Sequence, residues 1–150
     1  MSTPSPAIFE RTFRAGWADM DFNGHMRNTA YLDRVSDTRM LYFHSSGFTA
    51  AEFARIGFGP VLKTDRLEYF REVRLMDEMR ITLQCAGMSE DGRKWRLRNE
   101  IYRMDGTLSV RVTSDGGWLN LAERKLMPPP PALFDCMQAL TRTPDFELLP

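Results

Sequence analysis

Ten consecutive residues, Asp19-Met20-Asp21-Phe22-Asn23-Gly24-His25-Met26-Arg27-Asn28, bring together two carboxylates, an imidazole, two carboxamides and a glycine. Side chains of these types hold a hard cation or move a proton. Asp19, Asp21, Asn23 and Gly24 match positions one, three, five and six of an EF-hand calcium loop, and Met26 supplies its apolar eighth position. The pattern then fails. Its twelfth position is Ala30 instead of a bidentate glutamate, Arg27 puts a positive charge at the ninth, and the residues before it alternate like a strand instead of coiling. No metal is expected. A G-x-S-x-G elbow, a Walker loop, a Rossmann fingerprint and an H-E-x-x-H helix are all absent. Cys85 and Cys136, the only two cysteines, form no CxxC pair, so neither a disulfide scaffold nor a zinc site is suggested.

The elements that must position this segment follow from periodicity. Phe9, Phe13, Ala15 and Trp17 alternate with Glu10, Thr12 and Arg14, which predicts a half-buried first strand ending near Trp17. The Asp-, Asn- and Gly-rich stretch after it reads as a loop able to take unusual backbone angles. From Thr29 to about His44 there is no Gly or Pro, and Tyr31, Leu32, Val35, Thr38 and Tyr42 recur at helical spacing. That main helix closes at Ser45 to Gly47, and a short helical segment follows that ends at Gly57. Four strands come next, marked by Val61, Leu67, Tyr69 and Val73, then Ile81, Leu83 and Cys85, then Trp95, Leu97 and Ile101, then Leu108, Val110 and Val112. Gly116 and Gly117 predict a bulge, because apolar parity passes to Leu119 and Leu121 after them. Pro128 to Pro131 ends the last strand, and a short helix packed peripherally is expected within Ala132 to Thr141.

The order is therefore strand, helix, then four strands, which predicts an α+β domain in which an antiparallel sheet of about five strands carries one long helix on its inner face. A single domain is expected over 1–150, with a peripheral Pro-rich C-terminal segment from about 128. A lone helix on a long sheet leaves a sheet edge uncovered, so at least a homodimer, or a dimer of dimers, is expected. The chain of 150 residues has 20 basic and 20 acidic side chains and is 43% hydrophobic, the balance of an ordinary globular domain. Its zero net charge draws it to neither nucleic acid nor anionic lipid, and neither is expected as a partner. The first twenty residues lack a charged start followed by an apolar stretch, and no apolar run is long enough to cross a bilayer, so a cytoplasmic protein is expected.

Asp19-x-Asp21-x-x-Gly24-His25-x-x-Asn28-x-x-Tyr31-Leu32 resembles the D-x-D-x-x-G-H-x-x-N-x-x-Y signature of hotdog-fold acyl-CoA thioesterases of the 4-hydroxybenzoyl-CoA thioesterase type. The later Tyr69 to Asp77 stretch is similar to that family's Y-x-x-P-x-x-x-x-D region, and the resemblance covers most of the chain. Arg27 stands where many members have Asn, and Arg71 and Glu72 stand near where a Pro is common. The resemblance implies a hotdog fold, an acyl-CoA substrate hydrolysed without a cofactor, and Asp21 as the catalytic carboxylate. A physical argument supports that assignment. A thioester carbonyl is activated enough to need only a carboxylate, as general base or as attacking group, and donors for the oxyanion. The residues just before a helix offer free N–H groups and the positive end of its dipole, so the amides near Arg27 to Thr29 are the expected oxyanion donors. Asp21-Phe22-Asn23-Gly24-His25 also resembles the D-x-N-P-x-H signature of hotdog hydratases, but His25 follows Asp21 by four residues instead of five and Gly24 replaces the Pro. A non-catalytic acyl-CoA binding module is the remaining alternative.

The expected catalytic set is Asp21, His25 and Asn28, with Gly24 and Tyr31 contacting substrate. Asp19 is expected to brace the loop, since two carboxylates held close repel. His25 either binds the thioester oxygen, positions water or braces the loop. Asn28 suits the N-cap of the main helix as well as the site. Gly24 is expected to let the chain approach substrate closely, and Tyr31 to form core or pocket wall. Lys94, Arg96 and Arg98 share one parity opposite Trp95 and Leu97 and read as a solvated outer face, while Lys63, Arg66, Arg71 and Arg74 are equal candidates for coenzyme A phosphates.

Overall fold

The computed structural model describes residues 7–150, so the expectation placed on the first residues of the chain lies partly outside the described residues. Strand β1 (Phe9–Arg14) leads through a 3-10 turn at Trp17–Asp19 into helix α1 (Asn28–Ser45), and the short α2 (Ala50–Ile56) follows. Four long strands come next: β2 (Phe58–Tyr69), β3 (Glu78–Ser89), β4 (Lys94–Arg103) and β5 (Leu108–Asn120). The chain closes with β6 (Lys125–Leu126), α3 (Pro131–Gln138) and β7 (Arg142–Leu149).

The expected five-strand path is present, in the order β1-β3-β4-β5-β2, and every neighbouring pair along it is antiparallel. Two further strands make seven: β6 extends β5, and β7 runs parallel to β3. β1 and β7 divide one edge of β3 between them, β1 pairing with its first half as far as Leu83 and β7 with its second half from Cys85. The C-terminal segment is therefore not peripheral. Leu133 and Met137 of α3 are at most 1% exposed within the core around Phe43 and Trp118. Proline at the start of α3 suits the first turn of a helix, where a missing N–H leaves no bond unmade.

α1 packs one face on the sheet, burying Ala30, Tyr31, Val35, Thr38, Arg39, Tyr42 and Phe43. The helix-spaced stripe is the reason a single helix can cover this sheet. One of its members is charged. Arg39 donates to Asn99 Oδ1 at 3.0 Å and to Ser114 Oγ at 2.8 Å, and burial pulls its guanidinium down to about 10. α2 is capped at its start by Thr49, whose hydroxyl accepts from the Glu52 amide, and at its end by Gly57, whose φ of 71° is a left-handed conformation that glycine adopts without strain.

Two local expectations change. β1 stops at Arg14, and Trp17 turns outward, 83% exposed, because Ala15 is already tied across to Asp77 and Met76 and the chain must turn there. The bulge lies on β2, not at the glycine pair: Lys63 has no partner between Leu62↔Gly116 and Thr64↔Asp115, while β5 pairs with β4 without interruption from Lys94↔Gly117 to Ile101↔Val110. Parity never shifts, since Trp118 is fully buried on the same side as Val110 and Val112. Gly116 serves close approach, because a Cβ there would lie 2.5 Å from the Trp95 ring.

Candidate active site

The loop between the 3-10 turn and α1 is braced from inside by Asp19. Its Oδ2 accepts from the Gly16 amide at 2.8 Å and from Arg34 Nη2 at 3.0 Å, and its carbonyl accepts from the Arg27 amide at 2.8 Å. Burial by itself raises the Asp19 carboxyl, but the Gly16 amide and the Arg34 guanidinium outweigh it and hold the group below the ordinary carboxylate range. Asp19 thus braces the loop, with its Oδ2 shared between the Gly16 amide and Arg34. Among the described residues, no group of three or more His, Cys, Asp and Glu side chains is placed to hold a metal ion.

Asp21 closes the outer half of the loop. Its Oδ1 accepts from the Asn23 amide at 2.8 Å and the His25 amide at 3.1 Å, while its own N–H donates to the His25 carbonyl at 2.7 Å. The side chain is exposed and stands at the wall of a cavity of about 410 Å³. Asp21, His25, Arg27, Asn28 and Tyr31 all line that cavity. Gly24 does not. It has φ of 77° and open space at its Cβ position, so its glycine serves a left-handed turn.

The start of α1 differs from the expectation in one detail that matters for chemistry. Arg27, not Asn28, is the N-cap, and it offers no side-chain cap. Of the three amides expected to face an oxyanion, that of Arg27 is given to the Asp19 carbonyl and that of Thr29 to Asn28 Oδ1 at 3.0 Å. Among the described residues the Asn28 N–H has no acceptor, and it sits at the positive end of an 18-residue helix. Arg27 also reaches to the Ala18 carbonyl and stands 3.6 Å from Asp33, so its guanidinium reinforces the turn.

The opposite wall comes from a segment remote in the chain. His25 bridges to Arg74 in an antiparallel fashion, and the Met26 amide donates to the Val73 carbonyl at 2.8 Å. These contacts place Tyr69, Phe70, Arg71 and Glu72 on the cavity. Glu72 Oε2 lies 3.0 Å from His25 Nε2. Of these four the sequence points only to Arg71, as a phosphate candidate, and the spacing of the Tyr69 to Asp77 stretch is its one signal for the rest. Tyr31 is 4% exposed, stacks edge-on with Tyr69 at 5.9 Å, and its hydroxyl accepts from the Val73 amide at 3.4 Å. Burial raises its phenol, so it stays protonated as pocket wall. The outer-face arginines are committed elsewhere: Arg96 pairs with Asp115 and Glu147, and Arg98 with Asp145.

A carboxylate, an imidazole and the first residue of the helix therefore line one cavity, and the sequence over residues 15–136 matches the model of a thioesterase-like superfamily. The chain belongs to the thioesterase-like superfamily. Thioester hydrolysis is the reaction class of that membership. No curated protein matches the sequence. Among solved structures, a hypothetical protein from Staphylococcus aureus in complex with CoA is 20% identical, with 92% of this chain and 86% of that chain covered at a TM-score of 0.84. A 1,4-dihydroxy-2-naphthoyl-CoA thioesterase from Synechocystis is 17% identical, with 88% and 96% covered at a TM-score of 0.78. These likenesses show the hotdog fold. No helix among the described residues is long and apolar enough to cross a membrane.

Proposed function

We propose that this protein hydrolyses an acyl-CoA thioester to the free acid and coenzyme A, with Asp21 as the catalytic carboxylate. The observation that carries the reading is the shared cavity of Asp21, His25 and the amino end of α1. The acyl carbonyl enters with its oxygen toward the Asn28 N–H, where a developing negative charge is met by a free donor and the helix dipole. Water, activated by Asp21, attacks the carbonyl carbon; the carbon–sulfur bond breaks, and the proton taken from water leaves on the thiol. Tyr31 and Tyr69 wall the acyl group, and Arg71 at the rim supplies a charge for a coenzyme A phosphate.

The protein acts as one domain spanning the chain, as a homodimer or a dimer of dimers, in the cytoplasm, where the buried thiols of Cys85 and Cys136 stay reduced. The second copy meets the outer edge of β2, which pairs only with β5 among the described strands and exposes Leu62 and Tyr69. Thiol release measured across a panel of acyl-CoAs tests the proposal. Release with at least one acyl group, reduced in Asp21→Asn, is the expected result. Tight binding without release indicates a binding module, and loss of enoyl absorbance without thiol release indicates a hydratase.

A further inference from the structure

We propose that Glu72 is a positioning residue for His25, a role that rests on the hydrolytic reading above. Its carboxylate holds the imidazole in one orientation and one tautomer at the cavity wall. His25 Nε2 and Glu72 Oε2 are 3.0 Å apart. An ionised carboxylate only accepts hydrogen bonds, so the nitrogen facing it carries the hydrogen, and in the neutral ring Nδ1 becomes the accepting nitrogen. In the hydrolytic step His25 then receives a hydrogen bond from the attacking water while Asp21 takes the proton. The oxygen–carbon bond forms, the carbon–sulfur bond breaks, and Asp21 returns the proton to the departing sulfur.

The backbone around Glu72 is anchored on both sides, as a positioning group requires. On one side the Phe70 and Arg71 amides donate to the Ser109 carbonyl at 2.8 and 3.1 Å, and the Ser109 hydroxyl donates to the Arg71 carbonyl at 2.7 Å. On the other, Val73 is fully buried and its carbonyl accepts from Met26, the residue after His25. The carboxylate and the imidazole are thereby set on two chain segments tied to each other one residue away. The side chain of Glu72 is 57% exposed, so as an ion pair alone it would contribute little to stability.

The chain contains only two histidines, so a His44→Gln background leaves His25 as the sole imidazole for nitrogen-15 NMR. In that background the neutral ring is expected to show the Nε2–H pattern. Glu72→Ala should lose that pattern and lower kcat about tenfold with KM little changed. Glu72→Gln, whose amide oxygen still accepts, should keep the pattern and recover most of kcat. An unchanged imidazole spectrum in Glu72→Ala overturns the proposal. So does a rise in KM with kcat intact, which would make Glu72 a substrate contact. Full activity in Asp21→Asn defeats the hydrolytic reading instead, and the NMR result stands apart from it.

Discussion

The two ends of α1 face two different cavities. At its amino end lies the polar cavity of about 410 Å³, with Asp21, His25, Arg71 and Glu72 around it. Beside its carboxyl half lies a groove of about 850 Å³ lined mainly by apolar groups, among them Met40, Leu41, Phe48, Phe53 and Phe58. The larger space has the poorer chemistry. The helix explains part of the contrast: the amino end lacks a side-chain cap and leaves the Asn28 amide open, whereas the carboxyl end is sealed by the Ser46 and Phe48 amides on the Tyr42 and Phe43 carbonyls. Aromatic packing reinforces the sealed end, with Phe43 edge-on to Trp118 at 5.5 Å and Phe53 stacked on Trp118 at 5.9 Å. The helix thus keeps an open backbone donor at one end and closes its carbonyls over the buried Tyr42 and Phe43 at the other.

Substitutions at the two ends should separate stability from turnover. The largest effect is expected for Phe43→Ala, which empties a site only 2% exposed at the sealed end and should cost about 3–5 kcal/mol in urea denaturation. Asp21→Asn at the open end should leave the melting temperature and oligomer unchanged but lower kcat by about a hundredfold or more in the thiol-release assay. If Asp21→Asn instead melts the protein, the division between the ends collapses. Asp19→Asn should destabilise by about 1–3 kcal/mol, because it weakens a buried charged hydrogen bond to Arg34.

The same group sets a pH dependence. The folded pKa of Asp19 is lowered, so its stabilising contribution is complete above the unfolded carboxylate range near about pH 4 and is lost as pH falls through the lower folded value. Acid titrations of wild type and Asp19→Asn should converge toward low pH. Gly24→Ala, forced to keep φ of 77°, should cost about 1–2 kcal/mol in thermal unfolding without a steric clash. The smallest effect is expected for Leu41→Ser, a 40% exposed position in the apolar groove, which should change stability by less than about 0.5 kcal/mol and leave turnover unaltered. A large loss of turnover there would mean that the groove belongs to the active site.

Local chemistry in the sequence was enough for much of this. Apolar spacing placed α1 within one residue at each end, Thr29 to His44 against Asn28–Ser45, and Gly57 ended α2 because only a left-handed residue closes that turn easily. The clustering of Asp21, His25, Asn28 and Tyr31 was equally legible, since a loop and the first turn of a helix keep near neighbours in sequence near in space. Asp19 read correctly as a brace, although its partner Arg34 did not announce itself.

What remained hidden depended on pairing between distant segments. Side-chain parity points to Gly116 and Gly117 and not to the bulge at Lys63, because parity marks which face a residue takes, not which of two paired strands carries the extra residue. The place of β7 beside β3 required β1 to stop short and leave that edge open. The amide left free at Asn28 was settled by Asp19 taking its neighbour. Glu72 came to His25 only because the Val73 carbonyl and the Met26 amide met across the fold. Periodicity reports how each segment divides itself between water and core; which segments then share hydrogen bonds is a property of the assembled sheet, and the wall opposite Asp21 was built there.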